Sequence, residues 1–164
     1  MSSLALTPQN IAFIHSRILK GDGCWEWTGK KNNFGYGVYV TFPNGRSSKS
    51  QTNLVHRVIY TLCVGDIPVG ALLDHKCHNP ACCNPEHLRA ATPRQNSQHR
   101  AGAASDNKTG VRNVEYEART SKYRVRVISQ GKCHRGGRFA TLAEAAAAAK
   151  ELREALFGDY AGRG

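Results

Sequence analysis

The residues best able to do chemistry in this chain lie between Asp74 and Leu88. Cys77 and Cys82 are five apart and His87 follows five later. Thiolates and an imidazole at such short spacing suit a tetrahedral zinc site. Just before them, Asp74 offers a hard oxygen ligand, and His75 offers a ring that titrates near neutral pH and can act as a general base. One hairpin thus carries soft ligands for a structural zinc and hard ligands for a catalytic, magnesium-like ion. The competing reading of the cysteines is a disulfide or buried free thiols. Met1 to Leu6 is too short and too mild for a signal peptide, which argues against an oxidising compartment. His75 alone reads as an ordinary hydrogen-bonded histidine; only its surroundings reverse that reading.

A structural zinc takes four ligands, and the hairpin supplies three. Cys24, between two turn-like segments and beside Trp25 and Trp27, can supply the fourth. The 164 residues suffice for one medium domain or two small ones, and two thin cores would gain from a metal staple. There are 23 Lys and Arg against 12 Asp and Glu, a net charge of +11, and both halves are basic. Nucleic acid is the first partner to consider. An anionic membrane is the second, but the chain has no apolar run of about 18 residues and no lipidation signal.

Several elements must position these groups. Thr7-Pro8 opens a helix expected to run to Lys20-Gly21, with Ile11, Ile14 and Ile18 on one face. Tyr36 to Val40 alternates as a strand, Pro43-Asn44-Gly45 reads as a hairpin turn, and Arg46 to Lys49 is a basic return strand. Leu54 to Cys63 is helical, with Cys63 on the apolar side, and Gly65 stops it. His56 and Arg57 either face a phosphate or cap a packed helix. Ala71 to Leu73 delivers Asp74 and His75. Leu88 to Ala91 returns, and Thr92-Pro93 starts a helix bearing Asn96. Hairpin and helix make a ββα unit that can bring Asn96 beside Asp74 to share one hard cation.

These residues together resemble the HNH (His-Me finger) endonucleases, most closely the phage-type homing enzymes. The resemblance covers roughly Gly21 to Gln98 and rests on Cys24-Trp25-Glu26-Trp27, Val55-His56-Arg57, the Asp74 to Leu88 stretch and Asn96. It implies His75 as general base and Asp74 and Asn96 as holders of one Mg2+ or Mn2+. It also implies Cys24, Cys77, Cys82 and His87 as ligands of a structural Zn2+, and Asn84 as a brace of the hairpin. The products would carry 5′-phosphate and 3′-hydroxyl ends. Cys83 and His78 fall at variable positions of the pattern.

The second half follows a polar linker at 101–108. Val111 to Tyr116 reads as a strand. In Lys122 to Val127, Tyr123, Val125 and Val127 face one way and Lys122, Arg124 and Arg126 the other. Lys132 to Phe139 is a third strand. Thr141-Leu142-Ala143-Glu144 is a capping box for a helix running to Leu156. A basic sheet face of this kind can enter a major groove. The segment resembles the plant ethylene-response-factor (apetala-type) DNA-binding domain through Gly110-Val111-Arg112, Lys122 to Val127, Gly137-Arg138-Phe139-Ala140-Thr141, Glu144-Ala145-Ala146 and Gly158-Asp159-Tyr160-Ala161. It departs from that pattern at Cys133-His134, where the plant domains carry tryptophan.

The expected fold is therefore α+β: a zinc-stapled ββα-metal domain at 1–100, a linker, and a three-stranded antiparallel sheet packed on one helix at 109–164. The expected function is site-specific cleavage of double-stranded DNA inside a cell. Arg57, Arg112, Lys122, Arg124, Arg126, Lys132 and Arg138 are the expected DNA contacts. A DNA-binding regulator with an inactive HNH module and a nonspecific nuclease are the rivals. A monomer with one site would nick, whereas a homodimer would cut both strands of a near-palindrome.

Overall fold

The computed structural model describes residues 6–42 and 49–164. The turn expected at Pro43-Asn44-Gly45 and the basic return from Arg46 to Ser48 lie outside them, as do residues 1–5. The chain divides into two compact units, Met1–Ala91 and Thr92–Gly164. The division falls before the helix bearing Asn96, so residues 92–100 count with the second unit.

In the first unit, Thr7 caps α1 (Pro8–Ser16) by accepting from the Asn10 amide at 3.3 Å, with Pro8 in the first turn. The helix stops at Ser16, four residues short of the expected end. Ile18 and Leu19 leave it to form strand β1 (Ile18–Leu19), pairing with β2 (Glu26–Trp27), while the Arg17 carbonyl accepts from the Thr28 amide at 2.9 Å. A ladder partner distant in sequence outweighs the helical periodicity of Ile18. Strands β3 (Val38–Thr41) and β4 (Gln51–Leu54) form an antiparallel pair that runs into α2 (Val55–Cys63). Val55, Val58 and Ile59 face one way at helical spacing and build the core with Ile14, Trp27 and Cys83. Cys63 is exposed, contrary to the expectation of a core position. Leu62, one turn beyond Val58, is exposed as well, so the core ends before the last turn of α2.

Trp27 is gripped from two sides. A Cβ at Gly37 would meet its ring at 2.7 Å, and one at Gly29 at 2.5 Å. Its Nε1 donates to the Lys30 carbonyl at 2.9 Å. Gly37→Ala should therefore destabilise the first unit by about 1–3 kcal/mol through overpacking. A urea titration followed by tryptophan fluorescence checks this; an unchanged midpoint contradicts it.

Strands β5 (Leu72–His75) and β6 (Leu88–Ala91) form the hairpin expected around the cysteine-rich turn, with Asp74 opposite Arg89 and His75 opposite Leu88.

The second unit begins with α3 (Pro93–Gln98), capped by a reciprocal Thr92–Gln95 box. Residues 101–108, expected as a linker, lead into a hydrogen-bonded turn. Asn107 Nδ2 donates to the carbonyls of Val111 at 3.1 Å and Val114 at 3.2 Å. Strands β7 (Val114–Glu117), β8 (Lys122–Ser129) and β9 (Lys132–Phe139) form an antiparallel sheet in that order. The first strand starts three residues later than expected, because the Val114 amide closes a turn onto the Val111 carbonyl at 3.2 Å. Helix α4 (Leu142–Phe157), capped by Thr141 and Glu144, packs on the sheet. Val114 and Val125 meet Ala145 and Ala149 in a buried core, where small side chains let helix and sheet approach closely.

Candidate active site and metal centre

Three local features bring the soft ligands together. The Trp27 amide donates to the Ala81 carbonyl at 3.1 Å and the Cys83 amide to Trp25 at 2.7 Å, which ties the Cys24 segment to the cysteine-rich turn. Buried Asn84 donates from Nδ2 to the Gly23 carbonyl at 2.9 Å and accepts from the Glu86 amide at 3.0 Å. The Lys76 amide donates to the His87 carbonyl at 2.8 Å, closing the hairpin around the turn. As a result one ligand atom each from Cys24, Cys77, Cys82 and His87 lies within 4.8 Å of every other. His87 Nδ1 is 3.6 Å from both Cys24 Sγ and Cys82 Sγ. Zinc bonds of about 2.3 Å to sulfur and 2.0–2.1 Å to nitrogen would separate tetrahedral ligand atoms by roughly 3.5–3.8 Å. The residues therefore fit zinc. Burial pushes the Cys82 thiol up to about 12 and raises Cys77 as well. A divalent cation is what would turn such thiols into thiolates. Among the described residues no other group of three or more His, Cys, Asp or Glu side chains is placed to hold a metal.

His75 is buried at the end of β5. Its Nε2 lies 3.1 Å from the Cys82 carbonyl, an acceptor only, so Nε2 carries the proton and Nδ1 is the basic nitrogen of the neutral ring. Burial lowers the His75 pKa, against the opposing pull of the carbonyl bond and of Asp74, and this favours the neutral ring. The carbonyl that fixes the base thus belongs to a residue of the cysteine–histidine cluster. Asp74, also buried, accepts from Arg89 Nε across the hairpin at 2.8 Å, which orients its carboxylate. One carboxylate of this kind suits Mg2+ or Mn2+, which keeps waters and takes substrate phosphate oxygens as ligands. Asn96 lies half-buried in α3 of the second unit.

Two further residues frame the base. His56 is buried, its ring edge-on to His75 at 4.7 Å between centroids. Tyr36 packs on both rings, at 5.3 Å from His56 and 5.8 Å from His75. Burial first, then the neighbouring His75 and Arg57, lower the His56 pKa to about 3, so it stays neutral. Of the two sequence readings of His56, the structure favours packing. Tyr36 gave no chemical signal in sequence, since it read only as the start of a strand. Arg57 is half-buried on α2.

In the second unit Arg124, Arg126 and Arg138 share the open face of the sheet, and Lys122 and Lys132 are exposed on its strands. Glu115 and Glu117 of β7 lie on that face too and pair with the three arginines. Arg112 is placed differently from the expectation of a DNA contact. Its guanidinium donates to the carbonyls of Gln98 at 2.7 Å and Ala161 at 2.9 Å. Arg112 thereby fastens the C-terminal segment, and its burial lowers its pKa to about 10.

Residues 53–98 match the family model of HNH endonucleases. That stretch includes Asp74, His75, Cys77, Cys82, His87 and Asn96. The chain is 43% identical over 75 residues to Protein 2.8 of Escherichia phage T7, covering 46% of this chain and 47% of that protein. It is 36% identical over 108 residues to an uncharacterized HNH endonuclease of Acanthamoeba polyphaga mimivirus, covering 65% and 54% respectively. Protein 7.7 of the same T7 phage is 39% identical over 77 residues, covering 47% and 54%. The chain spans about half the length of these curated relatives. No solved structure matches it significantly. Among the described residues no helix is long and apolar enough to cross a membrane.

Proposed function

We propose that this protein is a site-specific endonuclease of double-stranded DNA, of the mobile-element (homing) type. The observation that carries the reading is the pairing of His75 Nε2 with the Cys82 carbonyl, which leaves Nδ1 as a base beside Asp74 inside the HNH-matching stretch. His75 Nδ1 takes the proton of a water whose oxygen bonds to phosphorus. The bond from phosphorus to the 3′ oxygen breaks, the departing oxygen takes a proton from solvent water, and the ends are 5′-phosphate and 3′-hydroxyl. Asp74 holds the catalytic Mg2+ or Mn2+, and Asn96 is assigned as its second protein ligand on the family pattern alone. When bound, such an ion neutralises charge at the leaving oxygen. Cys24, Cys77, Cys82 and His87 hold a structural Zn2+ that keeps the hairpin in register. Arg57 contacts backbone phosphate. The second unit, with Lys122, Arg124, Arg126, Lys132 and Arg138, grips and reads the duplex, because a cleavage hairpin contacts mainly backbone and carries little sequence information.

The test is cleavage of supercoiled DNA bearing a randomised target library, with and without Mg2+ or Mn2+. Metal-dependent nicking or linearisation at a defined position is the expected result, and end-labelling gives the strand count. Tight binding without scission under any metal would overturn the nuclease reading in favour of a DNA-binding regulator. Cleavage scattered over all sequences would overturn only its site specificity.

A further inference from the structure

The open face of the second unit carries a feature that electrostatic attraction to DNA does not explain. Two carboxylates sit among its cations. Glu115 lies 2.7 Å from Arg124 Nη2 and 3.4 Å from Arg126 Nη2. Glu117 takes Arg138 through both Nε at 2.8 Å and Nη2 at 3.4 Å, and approaches Arg124 at 3.8 Å. The Thr120 hydroxyl donates to Glu117 at 2.7 Å and fixes that carboxylate in turn. Each glutamate therefore bridges two arginines, and Arg124 is shared between them. The Arg138 bond, then that of Thr120, hold the Glu117 carboxyl down at about 2, so the bridge persists at any working pH.

A surface that only gripped phosphates would be weakened by these acids, since each repels a polyanion. Fold stability does not account for them either, because exposed ion pairs add little. Free arginine side chains, however, sample many rotamers, and each must be ordered before it can read a base. Beside the bridged arginines lies a recess of about 490 Å³ lined by Arg124, Arg126, Cys133, Arg135, Gly137 and Arg138. A bulge between Val125 and Arg126 shifts the register there, setting Arg124 opposite Arg138 and Arg126 opposite Arg135. Gly137, at φ +108°, lines the recess with its backbone.

We propose that Glu115 and Glu117 are positioning residues that hold Arg124, Arg126 and Arg138 for readout of guanine edges in duplex DNA, so that the acids sharpen sequence preference rather than dampen charge. The bridging uses part of each fork. Arg138 commits its Nε–Nη2 edge to Glu117, and a guanidinium retains further N–H groups for the O6 and N7 acceptors of guanine. The proposal rests on the reading of the second unit as a DNA-binding module.

The two roles of the glutamates predict changes of opposite sign. The full-length protein is used to select duplexes from a randomised pool without added Mg2+, and affinity is then measured for the winning duplex and for a random one. In Glu115→Gln and Glu117→Gln, separately and together, affinity for the selected duplex should fall about tenfold in the double variant while affinity for random duplex holds or rises. The salt dependence of binding should stay as in wild type, because the number of phosphate contacts is unaltered. Reselection with the double variant should return a pool poorer in guanine. Equal gains for both duplexes would mean that the acids only dampen charge. Unchanged affinities, or equal losses, would likewise overturn the proposal. If instead no duplex is enriched, and Arg124→Ala and Arg126→Ala leave binding untouched, the DNA-binding reading of this unit has itself failed.

Discussion

His75→Gln should abolish strand scission while leaving the protein folded and bound to DNA. Glutamine keeps an amide donor for the Cys82 carbonyl, so the buried acceptor now served by His75 Nε2 need not go unpaired. It has no basic nitrogen to replace Nδ1. A positioned general base contributes about 10²–10⁴-fold, and single-turnover nicking in Mg2+ should fall by that factor. His75→Ala should lose as much activity. It should also lose stability, because it strands the Cys82 carbonyl at roughly 1–3 kcal/mol and empties the space against His56 and Tyr36. Comparing the two variants separates the chemical role from the packing role. Glutamine cleaving within tenfold of wild type would remove His75 from the mechanism.

The hairpin was legible in sequence because its constraints are local. Thiol and imidazole spacing pointed to zinc chemistry, and the demand for a fourth ligand pointed back to Cys24, which the fold brings 3.6 Å from His87 Nδ1. The cap and proline at Thr92-Pro93 and the capping box at Thr141 are likewise short-range patterns and mark the helix starts. What sequence did not show depends on pairing across distance. Ile18 has the spacing of a helical residue, but its ladder partner Trp27 draws it into a strand. Arg112 reads as one more surface cation until the carbonyls of Gln98 and Ala161 are seen around it. Glu115 and Glu117 are unremarkable in a strand sequence. Only the β7–β8 register, which sets Glu115 opposite Arg124, turns them into bridges. His56 and Tyr36 meet His75 through ring packing that no spacing rule anticipates.

Loss of the cysteine–histidine centre should have the largest effect on stability, and it should be confined to one unit. Among the described residues the main hydrophobic cluster of the first unit is small, built from Ile14, Trp27, Val55, Val58, Ile59 and Cys83, and Cys83 directly follows the ligand Cys82. Structural zinc sites carry apparent binding free energies of about 10–16 kcal/mol, comparable with or larger than the 5–15 kcal/mol that hold a whole domain. His87→Ala or Cys82→Ser should therefore unfold residues 6–91 at ordinary temperature, and a strong chelator should do the same to the wild type. Both tryptophans, Trp25 and Trp27, lie in this unit, so tryptophan fluorescence reports on it alone. Hydrogen exchange in peptides spanning β7 to α4 should meanwhile remain as in the wild type, because the core of Val114, Val125, Ala145 and Ala149 is built without the cluster. Scission should vanish along with the fluorescence change, since the Cys82 carbonyl that orients His75 belongs to the metal turn. Elemental analysis should find one zinc per wild-type chain. Cobalt substitution should give the thiolate charge-transfer bands of a tetrahedral site in wild type and lose them in both variants. A His87→Ala protein with wild-type melting and a full complement of zinc would show that another set of ligands holds the metal, or that the hairpin stands without one.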